Sequence, residues 1–171
     1  MRSTTAVGSG LFAAWVVHDA EELMTLRSSA RRVAARVPRW LPIPADVRAA
    51  GFRAEQVRVA MAIMGALLGA AAVDGVRTRG RGWFFQEVLN GFGWHGVGHV
   101  AAGVAMRGYV TGVITSPTVV IPFWLWATRA LAAEGVPVRR RPTWGTLAVP
   151  PAILGAHWVS RRLVGPRQAQ A

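Results

Sequence analysis

The chain has 171 residues, 52% of them hydrophobic and only 16% charged, and its mean hydropathy is +0.30. A typical soluble domain is about one-quarter charged, so this composition argues for a membrane protein. The net charge is +12, carried by 20 arginines without a lysine, and there is no cysteine. Disulfides, zinc fingers and thiolate metal sites are excluded, and any metal must be held by His, Asp or Glu. The arginines cluster between apolar blocks, which suits membrane topology and anionic lipid head groups rather than nucleic acid.

The first apolar block, residues 4–26, is long enough to span a bilayer at about 1.5 Å per residue. Its second half carries His18, Asp19, Glu21 and Glu22. Each charged group costs a few kcal/mol near a bilayer centre, so the cluster needs a reason. On a helix, His18, Glu21 and Glu22 stand at i, i+3 and i+4 and share one face, while Asp19 points elsewhere. The cluster also falls where a signal-peptide cleavage site would be expected, which argues against a leader.

Residues 27–58 follow as a basic, cytoplasmic loop with eight arginines. Its start reads as a short amphipathic helix at the membrane surface, broken by Pro38, Pro42 and Pro44, with Trp40 as an interfacial anchor. The second block, 59–76, contains Gly65 and Gly69, a small-residue spacing that permits close helix contact. Asp74 near its end reads as an interfacial residue beside Arg77. The third block, 83–106, holds Glu87, Asn90, His95 and His99. The fourth, 109–128, carries Pro117 and Pro122, and the fifth, 144–160, carries Pro150, Pro151 and His157.

The expected fold is therefore all-α: a polytopic membrane helix bundle of about five transmembrane helices, forming one domain over 1–171. Twelve arginines fall on one side of such a bundle and eight on the other. That bias places the N-terminus outside and the C-terminus in the cytoplasm, with the protein multi-pass in the cell membrane.

Helical rise puts His18 and His99 about 12–13 Å from the cytoplasmic boundary, with Glu21 and Glu22 nearer to it. Glu87 lies about 30 Å from Arg107 and belongs to the opposite interface, with Asn90 between as a supporting or helix-contact residue. His95 and His99 form an H-x-x-x-H pair, whose i, i+4 spacing aims two imidazoles at one point, as zinc enzymes use it. Gly96 follows His95 where the zinc-protease motif needs Glu, so that signature is absent. His18 supplies a third ligand, and Glu21 or Glu22 acts as ligand or general base. The metal set read from the sequence is His18, Glu22, His95 and His99, with Glu21 and Glu22 as catalytic carboxylates and zinc or iron as the ion.

Two plainer readings compete. Glu21 and Glu22 could pair with Arg27 as an interfacial anchor, and His157 beside Trp158 could be an interfacial histidine.

His18 through Glu22 within an N-terminal apolar segment resembles the HXXEE family of small bacterial membrane proteins, and Asn90, His95 and His99 are similar to further polar positions of that family. The resemblance implies an integral membrane protein, suspected to be an enzyme, with a site at His18, Glu21, Glu22, His95 and His99; it supplies no reaction. The expectation is a membrane-embedded, metal-dependent enzyme of hydrolase or oxidase type acting on a lipid or other hydrophobic small molecule. The alternatives are a metal-free His/Glu lipid isomerase or cyclase, a small proton-coupled transporter, and a scaffold whose polar residues only pack helices.

Overall fold

The computed structural model describes residues 2–165, and these are helical without a strand. Arg167, counted in the orientation argument, lies outside the described residues. The helices are α1 (Arg2–Arg36), α2 (Ala45–Ala50), α3 (Ala54–Arg77), α4 (Trp83–Ala105), α5 (Ile121–Ala133) and α6 (Trp144–Val164).

α1 runs past the expected boundary at Leu26 and carries the first arginines of the basic segment as helix. Ala and Arg are good helix formers, so nothing stops the helix until Pro38, which disfavours helical geometry in the residue before it. The return is tied by Arg48, whose guanidinium donates to the carbonyls of Ala34, Pro38 and Leu41 at 2.8–3.0 Å. Gly51 then reverses the chain at φ +70°, and a Cβ there would sit 2.2 Å from the Arg27 carbonyl oxygen. Only glycine meets both demands.

α3 comes back along α1 in the most extensive helix contact of the fold. The small residues expected to permit close pairing do so within the chain, with Gly65 receiving the Trp15 ring and Gly69 the Phe12 ring. Asp74 is not merely interfacial. Its carboxylate accepts the Phe85 N–H at 3.0 Å, satisfying one of the free donors at the start of α4.

Between α4 and α5 the sequence reading placed a helix from Tyr109. Residues 106–114 instead form turns and a short link, and helix resumes at Thr115 and the π-helical turn Ser116–Val120, which runs directly into α5. Pro117 and Pro122 cannot donate backbone hydrogen bonds, which suits the wider turn at this point. α6 passes through Pro150 and Pro151 and packs on α3 and α4. The core lies where α1, α3, α4 and α5 meet, around Leu11, Leu68, Phe85, Leu89, Trp124 and Leu131.

Of the described helices, α3 alone is long and apolar enough to cross a membrane by length and composition.

Candidate metal site

On α1 the residues His18, Glu21, Glu22, Thr25 and Ser29 recur at helical spacing and share one face. That face meets two partners: the middle of α4, and the turn segment 109–115 folded over it.

His18 and Glu22 meet His95 and His99 of α4. One donor atom from each of the four lies within 4.8 Å of the others. His95 Nε2 and His99 Nε2 are 2.8 Å apart, and His99 Nε2 is 3.3 Å from Glu22 Oε1. Two ligands on one tetrahedral zinc, with bonds of about 2.0–2.1 Å, lie about 3.3 Å apart. The His18 ring stands edge-on to both histidines, with centroids at 5.4 and 5.1 Å. The structure therefore brings together the four residues named as ligands from the sequence, in a group that could hold a metal ion.

The orientation of His18 follows from Glu21. That carboxylate accepts four hydrogen bonds: from the Tyr109 hydroxyl at 2.5 Å, the Ile114 N–H at 3.3 Å, the Thr115 N–H at 2.8 Å and the Thr115 hydroxyl at 2.6 Å. Because the Thr115 hydroxyl donates its only proton to Glu21, its oxygen is an acceptor toward His18 Nδ1, 2.7 Å away. His18 must then be the Nδ1–H tautomer, with the Nε2 lone pair free. That Nε2 is buried and lacks a hydrogen-bond partner in a residue only 1% exposed. A buried nitrogen left open is costly in a plain core, whereas a metal ligand requires it.

Both oxygens of Glu21, expected to be a catalytic carboxylate, are thus engaged by four donors, and through Thr115 it is linked to His18. Glu22 remains beside His99. Arg27 pairs with neither; it donates to the Phe52 carbonyl at 3.0 Å, which removes the anchoring alternative.

Thr25 and Ser29 pin the same segment, through Thr111 Oγ1 at 2.9 Å and the Thr111 N–H at 2.9 Å. Gly112, at φ +73°, passes directly against the histidines; a Cβ there would lie 2.7 Å from His18 Cε1 and 2.9 Å from His99 Cε1. Sequence reasoning missed Tyr109, Thr111, Gly112 and Thr115. The visible signal was a cluster of hydroxyls and a glycine, Tyr109 to Thr115, inside an otherwise apolar block.

Two other polar residues of α4 serve the start of α6. Asn90 Nδ2 donates to the Arg141 carbonyl at 2.8 Å and to Thr143 Oγ1 at 3.1 Å, and Glu87 accepts the Gly145 N–H at 2.6 Å at the start of that helix. Neither supports the histidine cluster.

The cluster opens on a cleft of about 420 Å³ lined by α1, α3, α4 and α6. Asp19, expected to point away, lines this cavity, as does His157, whose ring stacks on Phe52 at 4.5 Å. A second opening, of about 370 Å³, reaches His95 and His99 beside Gly98 and Pro150.

Residues 9–127 match the family described as "Protein of unknown function with HXXEE motif". The chain belongs to the HXXEE family. The matched stretch contains all four clustered residues and the 109–115 segment, while α6 lies beyond it. No curated protein and no solved structure matches the chain.

Proposed function

We propose that this HXXEE protein is a membrane-embedded, metal-dependent enzyme acting on a hydrophobic small molecule. The observation that carries this reading is the buried, unpartnered Nε2 of His18, aimed by the Glu21–Thr115 pair into a group with Glu22, His95 and His99. Three imidazoles and a carboxylate suit Zn(II) or Fe(II). An ion held there supplies Lewis acidity or, if iron, redox chemistry.

The chain's own residues set the conditions for that chemistry. Thr115 and Glu21 hold His18 in one tautomer. Glu22, without the four donors that occupy Glu21, completes the ion's shell as a ligand and, where the ion is absent, is the carboxylate placed to take or return a proton. The large cavity admits an apolar substrate to the same histidines that the second opening reaches, so water or another small co-reactant has a separate approach.

The membrane setting is supported by α3 and by the large apolar residues that the bundle presents outward, Trp83, Trp144, Leu154 and Trp158 among them, each at least 60% exposed. In this reading α1 and α4 fall short of span-like hydropathy because they carry the polar site residues, which face each other rather than lipid. The multi-pass orientation, N-terminus outside, rests on the arginine distribution.

The test is elemental analysis of the detergent-purified protein beside His95→Ala/His99→Ala. One zinc or iron per chain, lost in the double variant while helicity is retained, supports the proposal. Metal-free protein after incubation with zinc and with anaerobic iron would redirect it to acid–base lipid chemistry by His and Glu alone.

A further inference from the structure

We infer that the cavity takes a single-chain amphiphile with an uncharged oxygen-bearing head, an alcohol or a carbonyl compound, rather than a phosphate or carboxylate lipid. The inference rests on the metal-enzyme reading and adds the substrate class to it.

Length comes first. On α4 the cavity is lined from Trp83 to His99, a rise of about 24 Å. α6 runs alongside in the same direction, its Gly145 against Glu87 and Gly91, so the slot lies along two roughly parallel helices. Along most of this length the walls are apolar, with Met61 and Met64 from α3, Phe84 and Val88 from α4, and Ile153 from α6. Unbranched Met side chains suit a flexible chain, because they repack at little cost.

Polarity is gathered at one end. The four clustered residues are joined there by Asp19 and by His157, whose Nδ1 is buried without a hydrogen-bond partner. At the other end Glu87 is engaged by the Gly145 N–H.

Charge then selects the head group. The chain has 20 arginines, yet among the described residues none lines the cavity. Guanidinium is the usual partner of buried phosphate and carboxylate, because its planar fork matches them. The cavity's polar end instead offers two carboxylates, Glu22 and Asp19, which together balance the charge of one divalent ion. An anionic head would enter against those carboxylates, with no described arginine there to receive it. A hydroxyl or carbonyl oxygen meets no such opposition.

The test uses the full chain in detergent, with and without zinc, and three probes sharing a sixteen-carbon chain: 1-hexadecanol, palmitate and hexadecyl phosphate. Thermal unfolding is followed while metal content is measured on the same samples. Saturating hexadecanol should raise the Tm by about 5–10 °C, and the two anionic probes should do little. Ala152→Phe, which narrows the slot from α6, should abolish the shift at unchanged zinc content; Met64→Phe narrows it from α3 should the first variant not fold. Equal or larger shifts with palmitate or hexadecyl phosphate overturn the inference, as does a hexadecanol shift that survives the narrowing variants. Absence of zinc overturns the metal reading alone, because the order of the three head groups is still read on the metal-free protein.

Discussion

Replacing Thr115 by valine removes one hydroxyl and leaves the side chain's shape nearly intact. In the wild type that hydroxyl donates to Glu21 Oε2 at 2.6 Å and accepts from His18 Nδ1 at 2.7 Å. Glu21 keeps three of its four donors, so its loss is about that of one ordinary hydrogen bond, ~1 kcal/mol. His18 fares worse. Its Nδ1–H is left without an acceptor at a residue 1% exposed, a penalty of about 1–3 kcal/mol. The ring is then free to adopt the other tautomer, which puts a proton on the nitrogen that faces the cluster. Loss of such a supporting contact lowers metal affinity by about 10–100-fold. The assay is zinc competition against a chromophoric chelator, with thermal unfolding of the metal-free protein as the stability control. Thr115→Ser should restore wild-type affinity, because it returns the hydroxyl. Wild-type zinc affinity in Thr115→Val would refute the relay from Glu21 to His18.

Gly112→Ala places a methyl group against both His18 and His99 at a positive φ, and should cost about 1–2 kcal/mol in backbone strain alone while lowering metal occupancy, read by elemental analysis. Arg48→Met removes the three carbonyl contacts that hold the 37–44 return; faster proteolytic cleavage within 37–44, at unchanged metal content, is the expected result. Asp46 receives two bonds from Arg161, at 2.9 and 3.1 Å, which hold its carboxyl below the usual range. A depressed folded pKa stabilises the protein above the unfolded value and loses that contribution as pH falls through the folded one. Asp46→Asn should therefore be about 0.5–1 kcal/mol less stable than wild type at pH 7, with the gap closing below about pH 4 in denaturant titrations.

The histidines and Glu22 were legible in the sequence because helical periodicity is a local rule. His18 and Glu22 stand four residues apart, as do His95 and His99, so each pair shares a helix face before any tertiary contact is known. Matching their depths along two helices was enough to suggest that the pairs meet. The roles of Glu21 and Thr115 were not legible, since both depend on how 109–115 folds over α1. The block from Tyr109 reads as helix by its overall composition, whereas Gly112 at positive φ breaks it there. That Asp19 lines the cavity was not legible for a related reason: the cavity is closed on that side by α3 and α6, whose placement no spacing rule specifies. Glu87 and Asn90 were placed by depth alone, and depth does not reveal that α6 begins beside them.

The central claim is that His18, Glu22, His95 and His99 hold one metal ion. X-ray absorption on the metal-loaded protein tests it most directly, because imidazole rings give a distinct outer-shell scattering pattern. Three imidazoles and at least one oxygen donor are expected, with nitrogen and oxygen bonds of about 2.0–2.2 Å if the ion is zinc, and two imidazoles in His18→Ala. An imidazole count unchanged by His18→Ala, or a wild-type spectrum without imidazole scattering, would contradict it.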